Sequence, residues 1–243
     1  MRVKLAQHIF AINGLWFCLT LTAFLILINL SWWQLSRASE KTGQLQRLAQ
    51  LQADGALQPA QLAALTASDI DGAPLQGQAR WLAPYIWLLD NQIVDGKVGY
   101  DVVVPVQAAG LARPLLVNLG WLAGTGSRDS LPQPDIAAEF SLNGLLRVDV
   151  DGLMLLGQNV ENSGQWPMRV QQLAYAELSQ LSGLSLFEAV LYQQQDTPFI
   201  PHYQPVVLLP EKHRGYALQW FLLGVAVLGV ALAASHQGRA KHE

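Results

Sequence analysis

The chain has 243 residues, room for one or two domains at roughly 150 residues each. Only 14% of the residues are charged and 51% are hydrophobic, whereas soluble globular chains carry about 25% charged residues. This composition excludes a disordered protein, and 15 basic against 18 acidic side chains exclude a nucleic-acid binder that works through a basic patch. A single cysteine, Cys18, excludes an intrachain disulfide framework, a thiolate zinc site and a CxxC redox centre.

In chain order, a short N-terminal segment, residues 1–9, leads into the first span, and no Asp, Glu, Lys or Arg occurs from Leu5 to Ser36. Within that stretch Phe10–Leu30 is long enough to cross a hydrocarbon core of about 30 Å. Twelve of its 21 residues are Leu, Ile or Phe, worth roughly 4–7 kcal/mol toward insertion. The run exceeds the apolar core of a secretory signal, and Ser36-Arg37-Ala38 is a poor cleavage site, so an uncleaved anchor is expected. Without a proline, and with Leu35, Leu45, Leu48 and Leu51 near helical spacing, the helix is predicted to continue to about Asp54-Gly55. A second short helix is predicted from Pro59 to Ala67, bounded by Asp69 and Asp71-Gly72.

After Gly77 short apolar or β-branched runs follow: 81–89, 100–106, 114–121, 140–150, 153–156, 186–193 and 206–209. Asp95-Gly96 and Asp151-Gly152 read as hairpin turns. Pro84 and Pro105 inside two runs predict edge or bulged strands, and Gln171–Leu181 predicts one helix ended by Gly183. Tyr216–Ala234 is the second span, followed by a tail, residues 235–243. The expected architecture is two transmembrane α-helices, N- and C-terminal, flanking a mainly antiparallel β barrel or sandwich with a few helices, an α+β domain over residues 31–215.

Two spans put both termini on one side of the lipid bilayer. The terminal segments carry Arg2, Lys4, Arg239 and Lys241 against Glu243, and the long central domain translocates largely regardless of charge. Cytoplasmic termini and a periplasmic domain are therefore expected, in a multi-pass protein of a bacterial inner membrane, because too few residues precede the first span for a mitochondrial transit peptide.

The catalytic inventory is thin. GxSxG, HExxH, GxxxxGK[ST] and HxE…CxxC are all absent, and the five histidines are His8, His202, His213, His236 and His242. No enzyme is expected. Soft Cu(I) requires Cys or Met ligands. With no Cys outside the first span and only Met1, Met154 and Met168, copper delivery is not expected either.

The second membrane boundary is the informative one. In a helix starting after Pro210, residues His213, Tyr216, Ala217, Trp220, Phe221 and Gly224 fall on one face. That face reads first as the headgroup anchors and aromatic belt of any span, or else as a place for the rim of a flat apolar macrocycle, with neutral His213 as axial ligand to its iron. The first boundary shares the ambiguity. Trp32-Trp33-Gln34 precedes Arg37 and Lys41, which at i, i+4 suit either propionates or phosphates, or lipid headgroups.

Four motifs resemble the surfeit locus protein 1 family of cytochrome c oxidase assembly factors. They are Trp33-Gln34-Leu35-x-Arg37-x-x-x-Lys41; Asn118-Leu119-Gly120-Trp121; the segment from Asn159 to Trp166; and His213-x-x-Tyr216-Ala217-x-Gln219-Trp220-Phe221. One departure is Leu119, where the family usually has Arg. The resemblance implies a non-enzymatic role in cytochrome c oxidase biogenesis. The chain would help build subunit I of a haem-copper oxidase at the haem a insertion stage, with subunit I and haem a synthase as partners. It also implies haem a as a transient cargo, with His213 as iron ligand and Tyr216, Trp220 and Arg37 as further contacts. The alternative is a scaffold that binds oxidase intermediates through its exported domain and never holds haem.

Overall fold

The computed structural model describes residues 2–5, 8–11, 13–127, 130–148, 157–161 and 164–239. The elements are β1 (Arg2–Leu5), β2 (His8–Ala11), α1 (Gly14–Ala53), a 3₁₀ turn (Pro59–Ala64), α2 (Ala67–Ile70), β3 (Pro74–Trp81), β4 (Trp87–Val94), β5 (Lys97–Ala108), β6 (Leu115–Ala123), β7 (Glu139–Arg147), β8 (Val160–Glu161), β9 (Met168–Val170), α3 (Tyr175–Ser182), β10 (Val190–Gln193), α4 (Pro210–Ser235) and β11 (His236–Arg239). They fall into two compact units, one of residues 1–47 with 206–243 and the other of residues 48–205.

The first unit holds two helices long and apolar enough to cross a membrane, α1 and α4. α1 begins at Gly14, not at the expected Phe10, because Asn13 caps it: its Oδ1 accepts the Leu15 N–H at 3.0 Å and its carbonyl accepts that of Phe17. Phe10 and Ala11 belong instead to β2, which pairs antiparallel with β1 and with β11. α1 then runs unbroken for 40 residues and stops before Gly55, close to where the sequence places its end. α4 opens with Pro210 in its first turn, where the missing N–H costs nothing.

The second unit is a closed barrel. Its ring runs β3–β7–β10–β6–β5 and back to β3, antiparallel except for the β6–β10 pair, and β4, β9 and β8 extend it from β5. Side chains alternate along the strands. Val102, Val104 and Val106 of β5 and Leu115 and Val117 of β6 fill the principal core, while Val103 and Leu116 point to a second cluster with Trp87, Leu178 and Val190. Burial on both faces explains why β5 and β6 read as continuous apolar runs rather than alternating ones.

Several expected strands shift. The run 81–89 is split, with β3 ending at Trp81 and β4 starting at Trp87, and Pro84 lies in the connection. Pro105 is interior to the barrel and not at an edge. It stands where β5 leaves β4 (Trp87↔Val103) and takes up β3 (Trp81↔Val106), so its missing donor falls at the change of partner. Residues 206–209 form no strand: they lie between Pro205 and Pro210, and Val207 is 88% exposed. In the run 186–193 only Val190–Gln193 pairs. The predicted helix 59–67 resolves into the 3₁₀ turn and α2, and α3 starts four residues later than Gln171. The Asp95-Gly96 hairpin joins β4 to β5 as expected. The Asp151-Gly152 turn, the run 153–156 and the end of the run 140–150 lie outside the described residues.

Candidate functional site

α1 and α4 pack through a seam of small and polar residues. The buried positions of α4 are Pro210, His213, Ala217 and Gly224, and those of α1 are Ser31 and Ala38. Ser31 Oγ donates to the Ala217 carbonyl at 2.9 Å, and a Cβ on Gly224 would meet the Phe24 ring at 3.4 Å. In lipid, where apolar burial gives helices no reason to associate, small residues and interhelical hydrogen bonds supply the contact. One turn toward the polar end, the His213 ring joins Gln34, with Nδ1 2.8 Å from Oε1. An amide oxygen only accepts, so with Oε1 facing the ring the bond calls for a proton on Nδ1, and in a neutral imidazole Nε2 then keeps its lone pair. His213 as a whole is 8% exposed.

The sequence placed His213, Tyr216, Ala217, Trp220, Phe221 and Gly224 on one stripe. The seam divides that stripe. His213, Ala217 and Gly224 face α1, whereas Tyr216 and Phe221 are 45% and 47% exposed. At about 100° per residue, Tyr216 and Trp220 lie to one side of the seam and Phe221 and Arg214 to the other. The same geometry on antiparallel α1 puts Lys41 beside the seam on the side of Tyr216 and Trp220, with Arg37 and then Trp33 turned progressively away from α4. On the opposite flank Leu35, Ser39 and Thr42 line a shallow cleft of about 370 Å³ together with Arg214, as this register requires. The motif residues are therefore spread around the Gln34–His213 pair, with Tyr216, Trp220 and Lys41 to one side of the seam, Phe221 to the other, and Arg37 and Trp33 on the outer face of α1.

This boundary has a definite chemistry. Trp33, Tyr216 and Trp220 offer aromatic surface at the boundary of the apolar segments. Arg37 is half-exposed, pairs with Glu40 at 2.7 Å and lies 5.7 Å over the Trp33 ring, while Lys41 donates to Gln44. An exposed ion pair of this kind is worth about 0–1 kcal/mol, so exchanging Glu40 for another carboxylate costs Arg37 little. Among the described residues no cluster of three or more His, Cys, Asp or Glu side chains is placed to hold a metal ion.

The other motifs do structural work in the barrel. Val102 pairs with Gly120 and Val103 with Asn118, so Leu119 is the extra residue of a β-bulge. Asn118 Oδ1 accepts the Gly120 N–H at 2.9 Å, and Asn118 Nδ2 donates to Asp101 Oδ2 at 2.7 Å. Leu119, the departure from the family pattern, turns into the core and is 4% exposed. Trp121 exchanges backbone hydrogen bonds with Ile200 at 2.8 and 3.1 Å, and its indole donates to the Gln92 carbonyl. Trp166 meets Tyr85 and Trp87 edge-on at 5.2 and 5.5 Å. Asn159 ties β8 to the approach of α3: its Oδ1 accepts the Gln171 and Gln172 N–H groups and its Nδ2 donates to Glu177.

Sequence reasoning left Asp101 unassigned and His202 without a role. The signal was a lone carboxylate inside the apolar stretch Tyr100–Val106, since a buried acid requires partners. Asp101 Oδ1 binds His202 Nε2 at 2.6 Å. With Thr197 on the Leu119 carbonyl and Tyr203 stacked on Tyr192 at 4.0 Å, this contact straps residues 197–203 across the barrel. The hydrogen bond to Asp101 raises the His202 pKa above its usual 6.5, against the opposing effect of burial. A raised pKa in the folded state gives stabilisation that is full below about pH 6.5 and is lost as pH rises through the folded value. Unfolding temperature of the purified protein is accordingly expected to fall as pH rises from about 6.5, and His202→Gln should flatten that slope.

The SURF1 family model matches residues 21–225, from within α1 to within α4, and so covers all four motifs. A search of the curated proteins gives no match. With parts of both apolar helices, the barrel between them and the paired boundary motifs inside that match, the chain is a membrane protein that belongs to the SURF1 family, a family of oxidase assembly factors and not a known class of enzyme.

Proposed function

We propose that this protein serves assembly of a haem-copper terminal oxidase by holding haem a transiently at the membrane edge and passing it to subunit I. The observation that carries the reading is the Gln34–His213 bond, which joins the two helices at the boundary that also carries Trp33, Tyr216, Trp220, Arg37 and Lys41 and engages only one of the two imidazole nitrogens. The donor set fits the cargo. A large flat macrocycle suits aromatic walls, two propionates suit two cations one helical turn apart, and a ferric or ferrous centre accepts a neutral imidazole. Antiparallel pairing of β2 with β11 brings the two terminal segments together, which supports termini on a common side of the membrane. We place that side in the cytoplasm and the barrel in the periplasm of a bacterial inner membrane.

The test is spectroscopic. Full-length protein co-expressed with a haem a synthase and purified in detergent should carry an a-type haem spectrum, and His213→Ala should lose most of it. If wild type and variant both lack haem while deletion still impairs oxidase assembly, the protein is a scaffold for oxidase intermediates and the haem reading falls.

A further inference from the structure

We propose that Gln34 is the positioning residue for His213, fixing Nε2 as the nitrogen offered to iron and keeping it a deliberately modest ligand. This deepens the haem-holding reading and rests on it. Three features of the seam point to the assignment. The bond crosses between helices, and the Ser31–Ala217 contact one turn away sets the register that brings the two side chains together. His213 is buried and Gln34 half-buried, so the bond is shielded from competing water and strengthened by the low local dielectric. Among the described residues the His213 ring has no other hydrogen-bond partner, so Gln34 alone determines which nitrogen is protonated.

The identity of the partner sets the strength of the ligand. Metal-binding histidines commonly donate their second N–H to an acceptor that fixes the tautomer and raises basicity, and a carboxylate does this more strongly than a neutral amide. A carboxylate at residue 34 would push His213 toward imidazolate character, strengthen the bond to iron and favour the ferric state. Such a site would retain its cargo. An amide gives orientation with little added basicity, which suits a site that must release haem to a better-ligated acceptor.

Two variants separate these effects. Gln34→Leu removes the acceptor while keeping comparable bulk, and Gln34→Glu replaces it by a stronger one. In full-length detergent-purified protein without haem, nitrogen-15 spectra of labelled histidine should show wild-type His213 protonated at Nδ1, and Gln34→Leu should give a mixture of tautomers. With haem a loaded, Gln34→Leu should weaken binding about 10-fold, the lower end of the effect of removing an outer-shell partner. Gln34→Glu should restore binding, slow haem loss below the wild-type rate and shift the midpoint potential downward. A wild-type His213 carrying its proton on Nε2 overturns the proposal, whether or not the protein holds haem. So does haem binding whose affinity, release rate and potential are the same in all three proteins. If no protein holds haem but the tautomer is as stated, the haem reading fails while the positioning of His213 by Gln34 survives.

Discussion

Gly120→Val is expected to lower barrel stability by about 2–6 kcal/mol, combining roughly 1–3 kcal/mol of backbone strain with a similar cost of overpacking. Gly120 has φ +118, and a Cβ built there would lie 2.8 Å from the Ile200 carbonyl oxygen and 3.2 Å from Phe199 Cβ. The oxygen belongs to the backbone that Trp121 binds, so relief requires peeling residues 197–203 from the bulge. Gly126→Ala provides the control: φ is +86, yet nothing lies within 4 Å of the added carbon, so only the strain of about 1 kcal/mol remains. Denaturant unfolding of the full chain, followed by tryptophan fluorescence, measures both. Equal losses in the two variants would show that the close approach of Ile200 carries no energy.

Gly224→Leu is expected to separate the two apolar helices. The Phe24 ring already lies 3.4 Å from the position of a Cβ, and Ile28 at 3.6 Å closes the other side. Three further carbons therefore have no room unless the seam widens. Overpacking of this kind costs about 1–3 kcal/mol, and the Ser31–Ala217 hydrogen bond that opposes separation is worth only about 0.6 kcal/mol by membrane measurements. Cysteines introduced at Ser31 and Ala217 should cross-link about 10-fold less in the Gly224→Leu background, the equivalent of 1.4 kcal/mol. The haem spectrum proposed for the wild type should fall with it, since widening also pulls Gln34 from His213. Unchanged cross-linking would mean that the helix pair does not depend on Gly224 for its closeness.

Much of this architecture was legible because its signals are local. A charge-free run of Leu, Ile and Phe, a proline at the start of α4 and Asp95-Gly96 between two β runs each state their structure within a few residues. The closing of the barrel is not local. That β5 changes partner at Pro105, or that β10 inserts parallel to β6, depends on contacts between residues far apart in the chain (Val190 pairs with Leu116), and short-range periodicity carries no such information. The site divides in the same way. Helical spacing alone put His213 with Tyr216 and Trp220, and the family resemblance picked out Gln34, but helical spacing also enrolled Phe221. Which edge of a helical stripe meets a partner helix depends on that partner's small residues, here Ser31 and Ala38, and they are unremarkable in isolation. Asn118 and Gly120 were visible as a motif, while their purpose, a bulge that binds Asp101 and the strap, needed the register of β5 against β6.

The bulge has a consequence for measuring the protein. Asn118 uses its oxygen on the Gly120 amide and its nitrogen on Asp101, whose other oxygen is taken by His202. Water reaches that amide only when strap, bulge and strand part together, so its proton should exchange with deuterium at the rate of whole-barrel opening and not of local fraying. A single slow signal from Gly120 would then serve as a clock for the opening of the entire domain, and raising the pH above about 6.5 should quicken it by more than the base catalysis of exchange alone.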